Sequence, residues 1–180
     1  MANKPIALIS LLLVMVVGTW FGWRHTQLLR YQVIAHQQFV DEFQNGIRGA
    51  SNAAERAQLR LGEAKPALAA QELTGSDYYL QVMWLGATGM SIRLGQGLVP
   101  LGVTTRYQNE AVRLREQLLI DPSNPELPQR LENLSHDLTL LVELLGADDQ
   151  REWLANATAD EFSSRYQSWR EKAMIKLEVP

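Results

Sequence analysis

The stretch Leu127-Pro-Gln-Arg-Leu-Glu-Asn-Leu-Ser-His-Asp-Leu-Thr-Leu-Leu-Val-Glu-Leu-Leu145 decides the fold class of this chain. Its leucines recur at alternating intervals of four and three residues, which keeps one stripe of a helix turned toward a partner helix. Just before it, Asn124 is suited to cap this helix and Pro125 to occupy its first position. The stripe consists of Leu127, Leu131, Leu134, Leu138, Leu141 and Leu145.

Helical spacing extends from this stretch in both directions. Towards the N-terminus, a third helix is predicted from about Thr105, and a second from Pro66 to about Leu94 with an interruption at 74–77. Towards the C-terminus, Thr158 and Glu161 form a capping box for a last helix. A first helix is predicted to reach about residue 64, with an inner stripe of His36, Val40, Phe43, Ile47, Ala50, Ala54, Ala57 and Leu61.

An uncharged apolar segment at residues 5–23 forms the beginning of that first helix, because nothing breaks the helix between Trp23 and the inner stripe. As a helix it would be about 28 Å long, close to the roughly 30 Å hydrocarbon thickness of a bilayer. It therefore predicts a membrane anchor, although a signal peptide cleaved after Gly18 is the alternative. The anchor positions are Leu8, Leu12, Val16, Trp20 and Trp23, with both indoles at the end where the headgroup layer is expected.

The predicted fold class is all-α, with an N-terminal transmembrane helix continuing into an antiparallel helical bundle of four to five helices. The anchor is assigned to 1–23 and the bundle to 24–180. Lys4 on one flank nearly balances Arg24 and Arg30 on the other, so the charge rule decides the orientation only weakly. The short polar tail before the span favours a signal anchor with an extracytoplasmic bundle. A cytoplasmic adaptor anchored by its N-terminus is the alternative.

Composition excludes several classes of function. With 17 basic and 20 acidic residues of alternating sign, the chain has no basic face for nucleic acid. It contains no cysteine, which rules out disulfides and thiolate metal sites. Glu132 and His136 have the wrong spacing for a di-iron bundle, and no nucleophile or zinc motif occurs. We therefore expect a protein that is not an enzyme and uses no metal or cofactor.

Residues 80–103 hold one charge in 24 positions, that of Arg93. A buried central helix is the favoured reading, because a second membrane span would place Arg93 in the bilayer among glycines and a proline. An exposed apolar groove for a protein partner is predicted around Met83, Trp84, Met90 and Leu98.

Arg93 itself is expected to pair with a carboxylate such as Asp77 or Glu110. The alternative is that Arg93 binds an anionic small molecule, which would make the chain a sensor bundle.

The order of these features resembles the N-terminal helical part of the spore germination protein YpeB family. The resemblance covers roughly residues 5–145 and rests on the anchor ending in Trp20 and Trp23, a long polar helix, Trp84, and Val99-Pro-Leu101. It implies an inner spore membrane protein that stabilises and restrains a cortex-lytic cell-wall hydrolase. The PepSY repeats of that family do not follow here, so only the anchoring and interaction part is carried over.

The sequence thus predicts a single-pass membrane-anchored helical interaction protein. It would hold or stabilise a protein partner at the extracytoplasmic face of the membrane, and the resemblance makes that partner a cortex-lytic enzyme of germination. A helical small-molecule sensor and a cytoplasmic adaptor are the alternatives. The alanine stripe from Ala50 to Ala57 leaves homo-oligomerisation open, because it could pack within the chain or against another copy.

Overall fold

Helices form nearly all of the chain that the structure describes. The computed structural model describes the backbone of residues 3–94 and 101–175, and the side chains of 14–90 and 104–175 apart from Asp148 and Ala159. This part contains six α-helices and no strand, which confirms the all-α prediction with more helices than expected. They are α1 (Asn3–Gly62), α2 (Pro66–Leu94), α3 (Leu101–Ile120), α4 (Leu127–Leu141), α5 (Arg151–Asn156) and α6 (Ala159–Lys172), with a π-helical turn at Val142–Gly146 and a 3₁₀ turn at Asp148–Gln150.

The chain divides into two compact units, Met1–Ala35 and His36–Pro180. The described side chains of the first unit belong to α1. The second unit contains the hydrophobic core, in which all six leucines of the predicted stripe are buried. Phe162 and Trp169 of α6 complete that core.

Helices α1 and α2 cross at very short range within the second unit. A Cβ atom added at Gly46 would lie 2.3 Å from the backbone nitrogen of Met83, and one added at Gly86 would lie 2.4 Å from that of Phe43. The contact positions run in opposite order along the two helices, so the pair is antiparallel. The Ser76 hydroxyl donates a hydrogen bond of 3.2 Å to a backbone carbonyl of α1. Two glycines therefore allow a backbone approach that larger residues would prevent.

The end of α1 has an unusual backbone residue. Ala64 has a φ of 59°, in the left-handed region where glycine is usual. The Lys65 N–H donates to the Arg60 carbonyl at 2.9 Å, which closes the last turn of the helix. Pro66 then begins α2, as predicted, because its missing N–H costs nothing in a first helical turn.

Three predicted boundaries are wrong. Helix α2 is not interrupted at 74–77, since the polar residues there stay within the helix and Ser76 is satisfied by α1. Helix α3 begins at Leu101 rather than near Thr105. Helix α4 begins at Leu127, because the Asn124 side-chain oxygen accepts from the Glu126 N–H and forms a turn ahead of the helix.

The capping box at the start of α6 is confirmed. The Glu161 N–H donates to the Thr158 hydroxyl at 3.4 Å, and the Glu161 carboxylate accepts from the Thr158 N–H at 2.8 Å. Both orphan donors at this helix end are therefore satisfied by two side chains that are three residues apart.

Side chains from other helices cap the π-helical turn that follows α4. Arg48 and Gln44 of α1 donate to the carbonyls of Gly146 and Ala147 at 2.5 and 3.1 Å. Arg165 of α6 donates to the Leu144 carbonyl at 3.3 Å. Cationic donors suit this position, because the carbonyls at a helix C-terminus carry partial negative charge. The turn is thus held by tertiary contacts that local sequence does not encode.

Candidate functional site

The first candidate site is the apolar part of α1 that belongs to the predicted anchor. Val16, Trp20 and Trp23 are all exposed, whereas Leu8 and Leu12 lie outside the residues with described side chains. The hydroxyls of Thr19 and Thr26 donate to carbonyls one turn back in the same helix. Among the described residues, no helix meets the length and hydropathy expected of a membrane span.

Exposed apolar side chains continue beyond Arg24 on the same helix. They project on several sides, and no described side chain of this unit covers them. A lone helix with so much apolar surface is marginal in water, because most helical stability comes from burying such a face. The exposed residues are Leu28, Leu29, Tyr31, Val33 and Ile34.

Two of the four residues predicted to line an exposed partner groove are buried, so that prediction is wrong for them. Met83 is only 4% exposed and Met90 is fully buried, so neither lines an accessible groove. The reason is the close crossing of α1, which covers this side of α2. Trp84 and Leu85 are 40% and 53% exposed on the uncovered side. Leu98 lies outside the described residues.

Arg93 lies on α2, and its side chain is outside the described set. Asp77 cannot pair with it as predicted, because both residues belong to one uninterrupted helix and their backbones are about 24 Å apart along it. Glu110, the other predicted partner, accepts from the Arg130 guanidinium at 2.6 Å. The anionic-ligand role of Arg93 remains a prediction.

A buried polar centre around Asp137 was not foreseen. The Asp137 side chain is fully buried, and its carboxylate accepts hydrogen bonds from the Tyr107 hydroxyl at 2.7 Å and from the N–H groups of Met174 and Ile175 at 2.7 and 2.8 Å. Its backbone carbonyl accepts from the Trp169 indole at 2.9 Å. The centre thus joins α3, α4 and α6 to the segment after α6.

The electrostatics of this centre suit a structural role. Burial, then the hydrogen bond to Asp137, raises the pKa of Tyr107 far above its usual range, so this phenol stays a neutral donor. Burial also raises the pKa of Tyr166 to about 12. The Asp137 oxygens are occupied by backbone and side-chain donors, which leaves little capacity for a substrate. We assign the centre to docking the C-terminal segment.

Sequence reasoning missed Asp137 although one signal was present. This residue lies three positions after Leu134 and four before Leu141, which is the inner face of α4. A carboxylate at such a position is expected to be buried and bonded.

The described residues contain no group of three or more His, Asp or Glu side chains that could hold a metal ion. No family model, curated protein or solved structure matches this chain.

Proposed function

We propose that this chain is a single-pass membrane-anchored helical interaction protein whose bundle holds a protein partner at the extracytoplasmic membrane face. The observation that carries the proposal is the uncharged segment 5–23, followed by exposed apolar residues up to Ile34. Lipid would cover the first part of this surface, and the headgroup layer suits the exposed indoles of Trp20 and Trp23. The anchor fixes the bundle at the membrane, where it meets partners confined to the same surface.

The partner is proposed to contact the uncovered side of α2. Trp84 and Leu85 lie there, and Tyr78 is exposed two helical turns earlier. Exposed tryptophan and tyrosine residues are enriched among the residues that contribute most to binding at protein interfaces. The resemblance to the YpeB helical region supports a cell-wall hydrolase as the finer proposal.

The anchor and its orientation are tested with one introduced cysteine. Ser123 is exposed in the turn before α4, and the chain has no cysteine of its own. Intact cells that express Ser123→Cys are treated with a membrane-impermeant maleimide, and the wild type serves as the unlabelled control. We expect labelling before lysis and retention of the chain in carbonate-washed membranes. Labelling only after lysis would instead indicate a cytoplasmic adaptor.

The partner surface is tested with a photo-crosslinking amino acid at position 84 in whole cells. A matched variant carries the same amino acid at Glu116, which is exposed on α3. We expect a covalent adduct of one defined mass at position 84 and none at position 116. Identical adducts at both positions, or none at either, would remove α2 as the partner surface. An adduct that contains a cell-wall hydrolase would support the germination proposal.

A further inference from the structure

One face of the N-terminal helix has features suited to a second copy of the same helix. At 100° per residue, six residues between Met15 and Val33 project from the same side of the helix. We call this side the Gly18 face. Trp20 projects from the opposite side, because it is two residues from both Gly18 and Gly22. The Gly18 face consists of Met15, Gly18, Gly22, Thr26, Leu29 and Val33.

Large apolar side chains on this face are uncovered in the first unit. Met15, Leu29 and Val33 are each about half exposed or more. Between them, a Cβ atom added at Gly18 or Gly22 would meet nothing within 4 Å. The two glycines leave a shallow depression on the helix, into which another backbone can approach. The Thr26 hydroxyl already donates to the Gly22 carbonyl at 2.8 Å, so it brings no unsatisfied donor to the face.

The charge pattern is compatible with a second copy as the occupant. In a symmetric parallel pair, every residue on the contact face meets its own copy, so a charged residue there would oppose a like charge. The Gly18 face contains no Asp, Glu, Lys or Arg, whereas Arg24 lies on the opposite side of the helix and Arg30 lies beside the face. The face is therefore compatible with itself, and the charged residues remain in contact with water or headgroups.

The side-chain pattern agrees with two parallel strands. Leu29 and Val33 are four residues apart and occupy successive d and a positions of a heptad that also contains Gly22 and Thr26. A β-branched residue at a with leucine at d favours two-stranded parallel coiled coils. Copies held in one membrane share their orientation, which makes a parallel pair the arrangement that they can form.

We propose that this chain forms a parallel homodimer through the Gly18 face, with Gly18 and Gly22 in close contact in the membrane and Leu29 and Val33 paired just outside it. The proposal rests on the proposed membrane anchor. The dimer would cover the exposed side chains of Leu29 and Val33, which lie beyond the lipid.

The test uses full-length variants with one cysteine each, in native membranes, under mild oxidation. Leu29→Cys and Val33→Cys lie on the Gly18 face, whereas the exposed controls Tyr31→Cys and Ile34→Cys project away from that face. A disulfide needs Cα atoms about 4.4–6.8 Å apart, so only facing positions react efficiently. We expect at least tenfold more crosslinked dimer at positions 29 and 33 than at 31 and 34.

A second substitution tests the glycine contact. Adding Gly22→Leu to Val33→Cys should lower crosslinking at least fivefold. Adding Val16→Leu, which lies outside the Gly18 face, should leave crosslinking unchanged. Equal crosslinking at all four positions, or monomer only in carbonate-washed membranes, would overturn the dimer and leave the anchor intact. Recovery of the chain in the carbonate supernatant would refute the anchor, and the dimer proposal would fall with it.

Discussion

Replacing Gly86 by alanine tests the close crossing of α1 and α2. The new Cβ would lie 2.4 Å from the Phe43 nitrogen, 2.6 Å from the Phe39 carbonyl oxygen and 2.8 Å from the Phe43 Cα. These are backbone atoms, so no side-chain rotation can relieve the clash, and the helices must move apart. Overpacking of this kind costs about 1–3 kcal/mol. The better helix propensity of alanine returns about 1 kcal/mol.

The matched control is Gly75→Ala on the same helix. Its Cβ would meet only the Ala53 Cβ at 3.7 Å, which is an ordinary contact. This variant should therefore gain about 1 kcal/mol from helix propensity alone. We expect the free energies of unfolding of the two variants to differ by about 2 kcal/mol, with Gly86→Ala the less stable, because the overpacking cost applies only at Gly86.

The free energy of unfolding is measured by urea titration of the full chain in a nonionic detergent, with circular dichroism as the signal. Both variants make the same chemical change on one helix, so the comparison removes effects of the unfolded state to first order. If Gly86→Ala proves as stable as Gly75→Ala, the two helices do not approach as closely as the structure has them. The burial of Met83 and Met90 would then no longer be explained by the close approach of α1.

Three further substitutions test the polar centre and the end of α1. Asp137→Asn removes a charged acceptor from the Met174 and Ile175 N–H groups, so we expect a loss of about 1.5–3 kcal/mol and faster hydrogen exchange at both amides. Tyr107→Phe should cost about 1 kcal/mol at neutral pH. Because the pKa of Tyr107 is raised in the folded state, wild-type stability should fall as pH rises above about 10, and urea titrations should show a smaller fall in this variant. Ala64→Gly should raise stability by about 0.5–1 kcal/mol, measured by thermal unfolding, because it relieves a left-handed alanine; an unchanged midpoint would argue against that conformation.

The local patterns of the sequence predicted those elements whose signals lie within a few residues. The leucine stripe of α4 and the capping box at Thr158 are both present, because each depends on neighbours three or four positions away. The start of α4 was misplaced for a related reason. Asn124 can cap a helix or form a turn with Glu126, and the two outcomes use the same side-chain oxygen.

The polar centre could be anticipated only in part. The inner-face position of Asp137 follows from its distance to Leu134 and Leu141, but its donors come from α3 and from the segment after α6. Tyr107 and Ile175 are 30 and 38 residues away along the chain, so no local pattern pairs them with Asp137. The left-handed Ala64 likewise gives no local signal, because glycine is the residue expected at that position.

The sequence alone determined that the described chain is helical, and it places an uncharged apolar segment at residues 5–23. Tertiary structure decided which apolar residues of α2 are accessible. Met83 and Leu85 are two positions apart on one helix, yet the first is 4% exposed and the second 53%. Helix α2 is apolar on most sides, so its periodicity does not select a buried face. The choice follows from steric fit, because Gly46 and Gly86 let the backbones of α1 and α2 meet on the Met83 side only.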